Sequence, residues 1–225
     1  PYLFCGANPV MNTDPTGMNY YSVDRKGYFY LLERNEDSYD RIISDNNKPG
    51  DYSNFVQVSK DFFSSVRYFD VDNTNFGYRS GKFHYYHVTH DTDEVFSFLS
   101  MNTNVEWSQI KFDMPDGLHS EVIGTSNFYD GDFTPDYILK NFLNASFSEM
   151  NHCHGNWFAY GPSNADISMA SKYRERSPQC SFSISCKYYG KNEYDETTPV
   201  MVNLWEIECT SIDKKDDDRP NSQYR

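Results

Sequence analysis

Basic residues are scarce: 20 Lys plus Arg stand against 33 Asp plus Glu, a formal charge of −13, and they form no cluster. A nucleic-acid binder needs a cationic footprint to displace phosphate counterions, so no nucleic-acid partner is expected. A metal ion can hold phosphate locally, which keeps a metal-dependent nuclease open as an alternative. No long apolar run interrupts the chain, so no membrane-spanning helix is expected. The cysteines number five, an odd count at scattered positions with no C-x-x-C pair. That pattern argues against a disulfide framework or a Cys-only zinc knuckle and for buried free thiols. No secretory signal peptide opens the sequence. A chain that starts on Pro1, inside a strand-like run, is expected to be a piece of a longer protein with any export signal upstream.

Aromatics are abundant. Nineteen Tyr and 17 Phe favour pleated surfaces, and they are too many for a disordered chain. The expectation is a strand-rich protein with a few helices. From Asn19 to about Ser59, Tyr20, Tyr21, Tyr28, Tyr30 and Leu32 flank an Asp24-Arg25-Lys26-Gly27 turn. Asn35-Glu36-Asp37 marks a second turn, and the segment reads as β-hairpins without chemistry.

The pattern changes at Lys82. A strand precedes a helix capped by Asp91, with Glu94 three residues on and Val95, Phe96, Phe98, Leu99 and Met101 as its apolar face. Asn102-Thr103-Asn104 ends it. A strand over Val105 to Phe112 and a Pro115-Asp116-Gly117 turn lead to a hairpin partner at Glu121 to Thr125. Thr134-Pro135-Asp136 starts a helix with Ile138, Leu139, Phe142 and Leu143 as its buried stripe. Phe147 to His154 reads as a strand, Gly161-Pro162-Ser163 opens a helix to about Arg174, and strands follow at Phe182 to Tyr189 and Val200 to Cys209. The fold class expected is α/β (α+β): a mixed β-sheet flanked by helices, behind a hairpin-rich segment. The charged tail from 212 to 225 is expected to be disordered.

The chemistry concentrates in His152-Cys153-His154 and Ser163-Asn164-Ala165-Asp166. On a strand, residues two apart share a face, so His152 and His154 can hold one metal while Cys153 points away. A tight loop returns a helix N-terminus whose first turn carries Asp166. Two imidazoles and one carboxylate leave a fourth tetrahedral position open, the arrangement of a catalytic zinc. Each part also has a plainer reading. A lone H-x-H is often two ordinary strand histidines, and Ser163 with Asp166 is often a helix cap and its reciprocal partner. His84 and His87 fall on opposite faces of a strand and are read as non-ligands, as is His90. His119 is expected in a solvated turn. Glu149 faces away from the His pair, and Trp107 and Trp157 line either a cleft or the core.

Two resemblances extend this reading. Asn8-Pro9 and Asp14-Pro15-Thr16-Gly17 before Met18 resemble the closing motif of RHS repeat-associated cores. That resemblance implies a variable C-terminal toxin domain after residues 1–18, held in the parent's RHS core shell, secreted or delivered into target cells for interbacterial competition, and paired with a cognate immunity protein. H-x-H followed by S-x-x-D is similar to the JAMM motif of JAB/MPN metallopeptidases, over roughly residues 82–211. It departs by one residue in the loop after His154, by Cys153 between the histidines and by Gly155. The resemblance implies one zinc ion held by His152, His154 and Asp166, with Ser163 stabilising the tetrahedral intermediate. It also implies a catalytic Glu that passes a proton from water to the leaving amine of a protein or peptide substrate in the target cell. Glu106, directly after the first helix, is preferred for that role, and Glu121 competes. The organisation expected is an RHS remnant at 1–18, a β-rich segment at 19–81, the metallopeptidase-like domain at 82–211 and the tail. A catalytically inactive binding scaffold and a structural RHS segment remain as further alternatives.

Overall fold

The computed structural model describes residues 18–35, 39–45, 53–71, 81–88, 92–128, 131–154, 163–192 and 195–206. The RHS-like motif before Met18, His90, Asp91, Trp157, Cys5, Cys209 and the tail lie outside the described residues.

Four short strands come first among the described residues: β1 (Met18–Val23), β2 (Phe29–Asn35), β3 (Asp40–Ser44) and β4 (Phe55–Val58). The β1–β2 hairpin turns where the sequence places it, around Asp24 to Gly27. The carboxylate of Asp24 accepts the N–H of Lys26 at 2.8 Å and of Tyr28 at 2.9 Å. The segment is not a simple run of hairpins, however. β3 crosses to lie parallel to β1, and the sheet order is β2-β1-β3-β4. Val23, Ile42, Val56 and Val58 give this sheet one apolar face, which it cannot bury alone.

A second sheet has seven strands: β5 (Val66–Val71), β6 (Gly81–Val88), β7 (Ser108–Asp113), β8 (His119–Thr125), β9 (Ser146–His154), β10 (Ser181–Asn192) and β11 (Asp195–Glu206), in the order β11-β10-β9-β7-β8-β6-β5. All its pairings are antiparallel except β9 with β10. β5 pairs with β6, so a boundary drawn between 81 and 82 falls inside a hairpin of this sheet. From β6 onward the elements alternate in the expected order, with α1 (Thr92–Asn102) after β6, α2 (Thr134–Asn141) after β8 and α3 (Asn164–Arg176) after β9.

The seven-stranded sheet is covered on both faces. On one side Phe83, Tyr85, Ile110, Val122, Met150 and Ile184 pack against Ile138 and Leu139 of α2 and Ala170 and Tyr173 of α3. On the other, Tyr86, Trp107, Ile123 and Cys153 pack against Val95, Phe96, Phe98 and Leu99 of α1 and against the four-stranded sheet. The two sheets therefore share a core. The fold is α+β, a mixed sheet flanked by helices. Cys153 and Cys180 are free and buried, as expected. Among the described residues no helix is long and apolar enough to cross a membrane.

Two local expectations fail for backbone reasons. α2 is only eight residues long, and Phe142 caps it with φ −102° and ψ 64°, its N–H donating to Ile138 O. Leu143 lies past that last turn and is 66% exposed, outside the stripe it was assigned to. The strand expected from Val105 begins at Ser108, because Glu106 bonds outside the ladder: its N–H donates to Phe128 O at 2.8 Å and its carbonyl accepts the Thr125 hydroxyl at 2.6 Å.

Candidate metal centre

β9, α3 and β10 form a parallel crossover, so the C-terminal end of β9 opens beside the N-terminus of α3. His152 and His154 are the last alternating residues of β9, on the face that carries Met150 and looks toward α2 and α3. Cys153 points to the other face, into the α1 core. Both imidazoles are buried, 7% and 6% exposed.

α3 starts with a complete capping box. The Ser163 hydroxyl accepts the Asp166 N–H at 3.2 Å, and the Asp166 Oδ2 accepts the Ser163 N–H at 2.5 Å. The cap and the ligand readings of Asp166 are thus compatible, because one carboxylate has two oxygens. His152 Nε2 lies 3.4 Å from Oδ1, and His154 Nε2 lies 3.3 Å from Oδ2. One ligand atom from each of His152, His154 and Asp166 lies within 4.8 Å of the others. Among the described residues this is the one group of His, Cys, Asp or Glu so arranged.

The electrostatics suit a cation. Burial pushes the His152 imidazole down to about 4, so it is a neutral donor at pH 7. Burial alone would raise the Asp166 carboxyl. Hydrogen bonding to His154, the charge of His152 and the bonds from Ser163 outweigh that and hold it at about 2. Two nitrogen donors and one fixed carboxylate are a borderline, zinc-compatible set with room for a further ligand. The Ser163 contacts anchor the carboxylate as outer partners anchor ligands in metal sites. The donor set therefore fits the metal that the sequence implies.

Ser108 pairs with His152 across β7 and β9, and the Cys153 N–H donates to Trp107 O at 2.9 Å. Val105 and Trp107 both enter the α1-side core. Glu106 lies between them, just before β7 begins and two residues from Ser108, which pairs with His152. Glu121, its competitor, lies on the face opposite His152. Its carboxylate accepts the N–H and hydroxyl of Thr92 and so caps α1. Glu149 also faces away, 3.0 Å from Lys111. His84 and His87 occupy opposite faces, one against Trp107 and the other against Phe112 and Phe142. Trp107 is wholly buried core. His119 is half-exposed but not merely solvated, with Asp113 at 2.8 Å and Glu121 at 3.1 Å from its two ring nitrogens. Its pKa is raised, first by Asp113 and then by Glu121.

Sequence reading missed three residues near the site. Thr125 and Asn127 hold the Glu106 segment, and Asp132, whose carboxyl burial raises, accepts bonds from Ser126 and Thr134 at the start of α2. Only Asp132 carried a sequence signal, as an Asp two residues before the Thr134 helix start.

Residues 86–171 match the family model described as JAB-like toxin 1. Over that span, which holds Glu106, His152, His154, Ser163 and Asp166, the chain is similar to JAB-like toxins. Nothing among the curated proteins or the solved structures matches the chain.

Proposed function

We propose that this chain is a zinc-dependent peptidase or isopeptidase acting as a toxin domain. The observation that carries this reading is the convergence of His152, His154 and Asp166, within a span similar to JAB-like toxins. A bound zinc ion would supply Lewis acidity, polarising a scissile carbonyl and acidifying water. His152 and His154 would hold it through unprotonated ring nitrogens, and Asp166 as the anionic ligand. The Ser163 hydroxyl accepts the Asp166 N–H and keeps its own hydrogen, which it donates to the oxyanion that develops in the substrate. Glu106 takes a proton from the attacking water and returns it to the leaving amine. The RHS-like motif supports delivery into a competing cell from a larger secreted protein, with a protein or peptide as substrate and a cognate immunity protein as partner.

Expression inside a bacterial host tests the reading. The wild-type chain arrests growth, and His152→Ala or Glu106→Gln relieves the arrest. Equal growth of all three removes the enzyme claim. Incubation with plasmid DNA and RNA tests the metal-nuclease alternative, which the charge of −13 disfavours. Nucleic-acid cleavage that disappears with His152→Ala would replace the peptidase with a nuclease.

A further inference from the structure

The segment that carries Glu106 is held from outside the family-like span, by the Asp24–Gly27 turn between β1 and β2. The Asn127 side-chain amide donates to Lys26 O at 2.7 Å, and the Asn104 N–H donates to Arg25 O at 2.7 Å. Gly27 lies between these bonds with φ +78°. A Cβ there would sit 2.9 Å from both Asn127 Nδ2 and Val105 Cγ2, and 3.3 Å from Trp107 Cζ2. Contact this close requires glycine, as does the positive φ. Phe29, just past the turn, meets the Trp107 ring edge-on at 6.1 Å. The turn therefore touches residues on both sides of Glu106.

Asn127 relays the contact to Glu106 itself. Its backbone has φ +56°, and its N–H donates to the Thr125 hydroxyl at 3.0 Å. That hydroxyl donates to the Glu106 carbonyl, while Phe128 O accepts the Glu106 N–H. One chain of hydrogen bonds thus runs from Lys26 through Asn127 and Thr125 to Glu106. The metal ligands rest on β9 and the α3 capping box, and β9 meets the Glu106 segment only beyond it, at the Cys153 N–H to Trp107 O bond.

We propose that the Asp24–Gly27 turn is a positioning element for Glu106, so that the N-terminal sheet fixes the proton carrier without contributing a catalytic residue. The inference rests on the peptidase reading above. A flexible Glu106 segment would leave the metal centre intact and lose only the alignment of the carboxylate with the reacting water.

The test uses the full chain loaded with zinc, as wild type, Asn127→Gly and Gly27→Ala. Asn127→Gly tolerates the positive φ and removes only the side-chain bond, so it guards against misfolding by Gly27→Ala. In both variants amide hydrogen exchange at residues 104–107 should rise about tenfold while residues 148–151 stay protected. Zinc stoichiometry should be unchanged. With fluorescent casein as the protein substrate, kcat should fall about 10- to 100-fold at constant KM. Unchanged exchange at 104–107 overturns the proposal, and so does faster exchange with undiminished kcat. Lack of zinc binding or casein cleavage by the wild-type chain sinks the peptidase reading instead, and the exchange measurement still decides whether the turn holds the segment.

Discussion

The seven-stranded sheet carries a polar cluster on each face, and the two satisfy their charges differently. On the α1 face Lys111 lies 2.6 Å from Asp93 and 3.0 Å from Glu149. Gln109 donates to Thr92 and Asp93, and Asn151 donates to Gln109 and Glu149. Every charge there meets one of opposite sign or a hydrogen-bond donor. Burial alone would lower the Lys111 pKa, but its bonds to Asp93 and Glu149 outweigh that and raise it. On the α3 face two buried imidazoles converge on one carboxylate, and burial keeps His152 neutral rather than letting it pair as a cation. A network that closes on itself stabilises the fold. A group of three donor atoms gathered within 4.8 Å of one another can share a ligand.

Mutations should separate the two clusters. The largest effect belongs to the ligands: Asp166→Asn or His152→Ala should abolish stable zinc binding, read by competition with a chromogenic chelator. Glu106→Gln should keep zinc and lower turnover by about 10²- to 10⁴-fold. A mutant that lost both zinc and activity would make Glu106 a structural residue.

Acid should weaken the fold through a third histidine. Burial against Trp107 and Tyr86 holds His84 at about 4, below the ordinary 6.5. The unfolded chain binds that proton more readily than the folded one. Stability from this group is therefore full above pH 6.5 and is lost as pH falls toward 4, by up to about 3 kcal/mol. Denaturant titrations across that window should show the slope, and His84→Phe should reduce it, leaving the part that His152 contributes. The smallest effect is expected from the closed network: Lys111→Met should cost about 1–2 kcal/mol by thermal melting with zinc affinity unchanged. Altered zinc binding in that variant would break the contrast between the faces.

Much of this was legible in the sequence because it rests on local periodicity. The alternation of His152 and His154 about Cys153, the Pro135 helix start and the element order from β6 onward all follow from spacing two or three residues apart. Pairing between distant segments was not legible. Nothing local tells β3 to lie parallel to β1, or tells Glu121 to cap a helix that starts 29 residues earlier. The choice between Glu106 and Glu121 became a matter of place in the sheet only once Ser108 was seen opposite His152. The support for Glu106 was hidden for the same reason, since Lys26 and Asn127 lie 101 residues apart. Leu143 looked like core because its spacing continued the α2 stripe, whereas the helix had already ended at Asn141.

Metal analysis of the purified chain is the most direct test of the centre. Elemental measurement after equilibration with zinc and removal of the excess should give one zinc per wild-type chain, and none in His152→Ala or Asp166→Asn. A wild-type chain that retains no zinc, or variants that retain as much as the wild type, would contradict it.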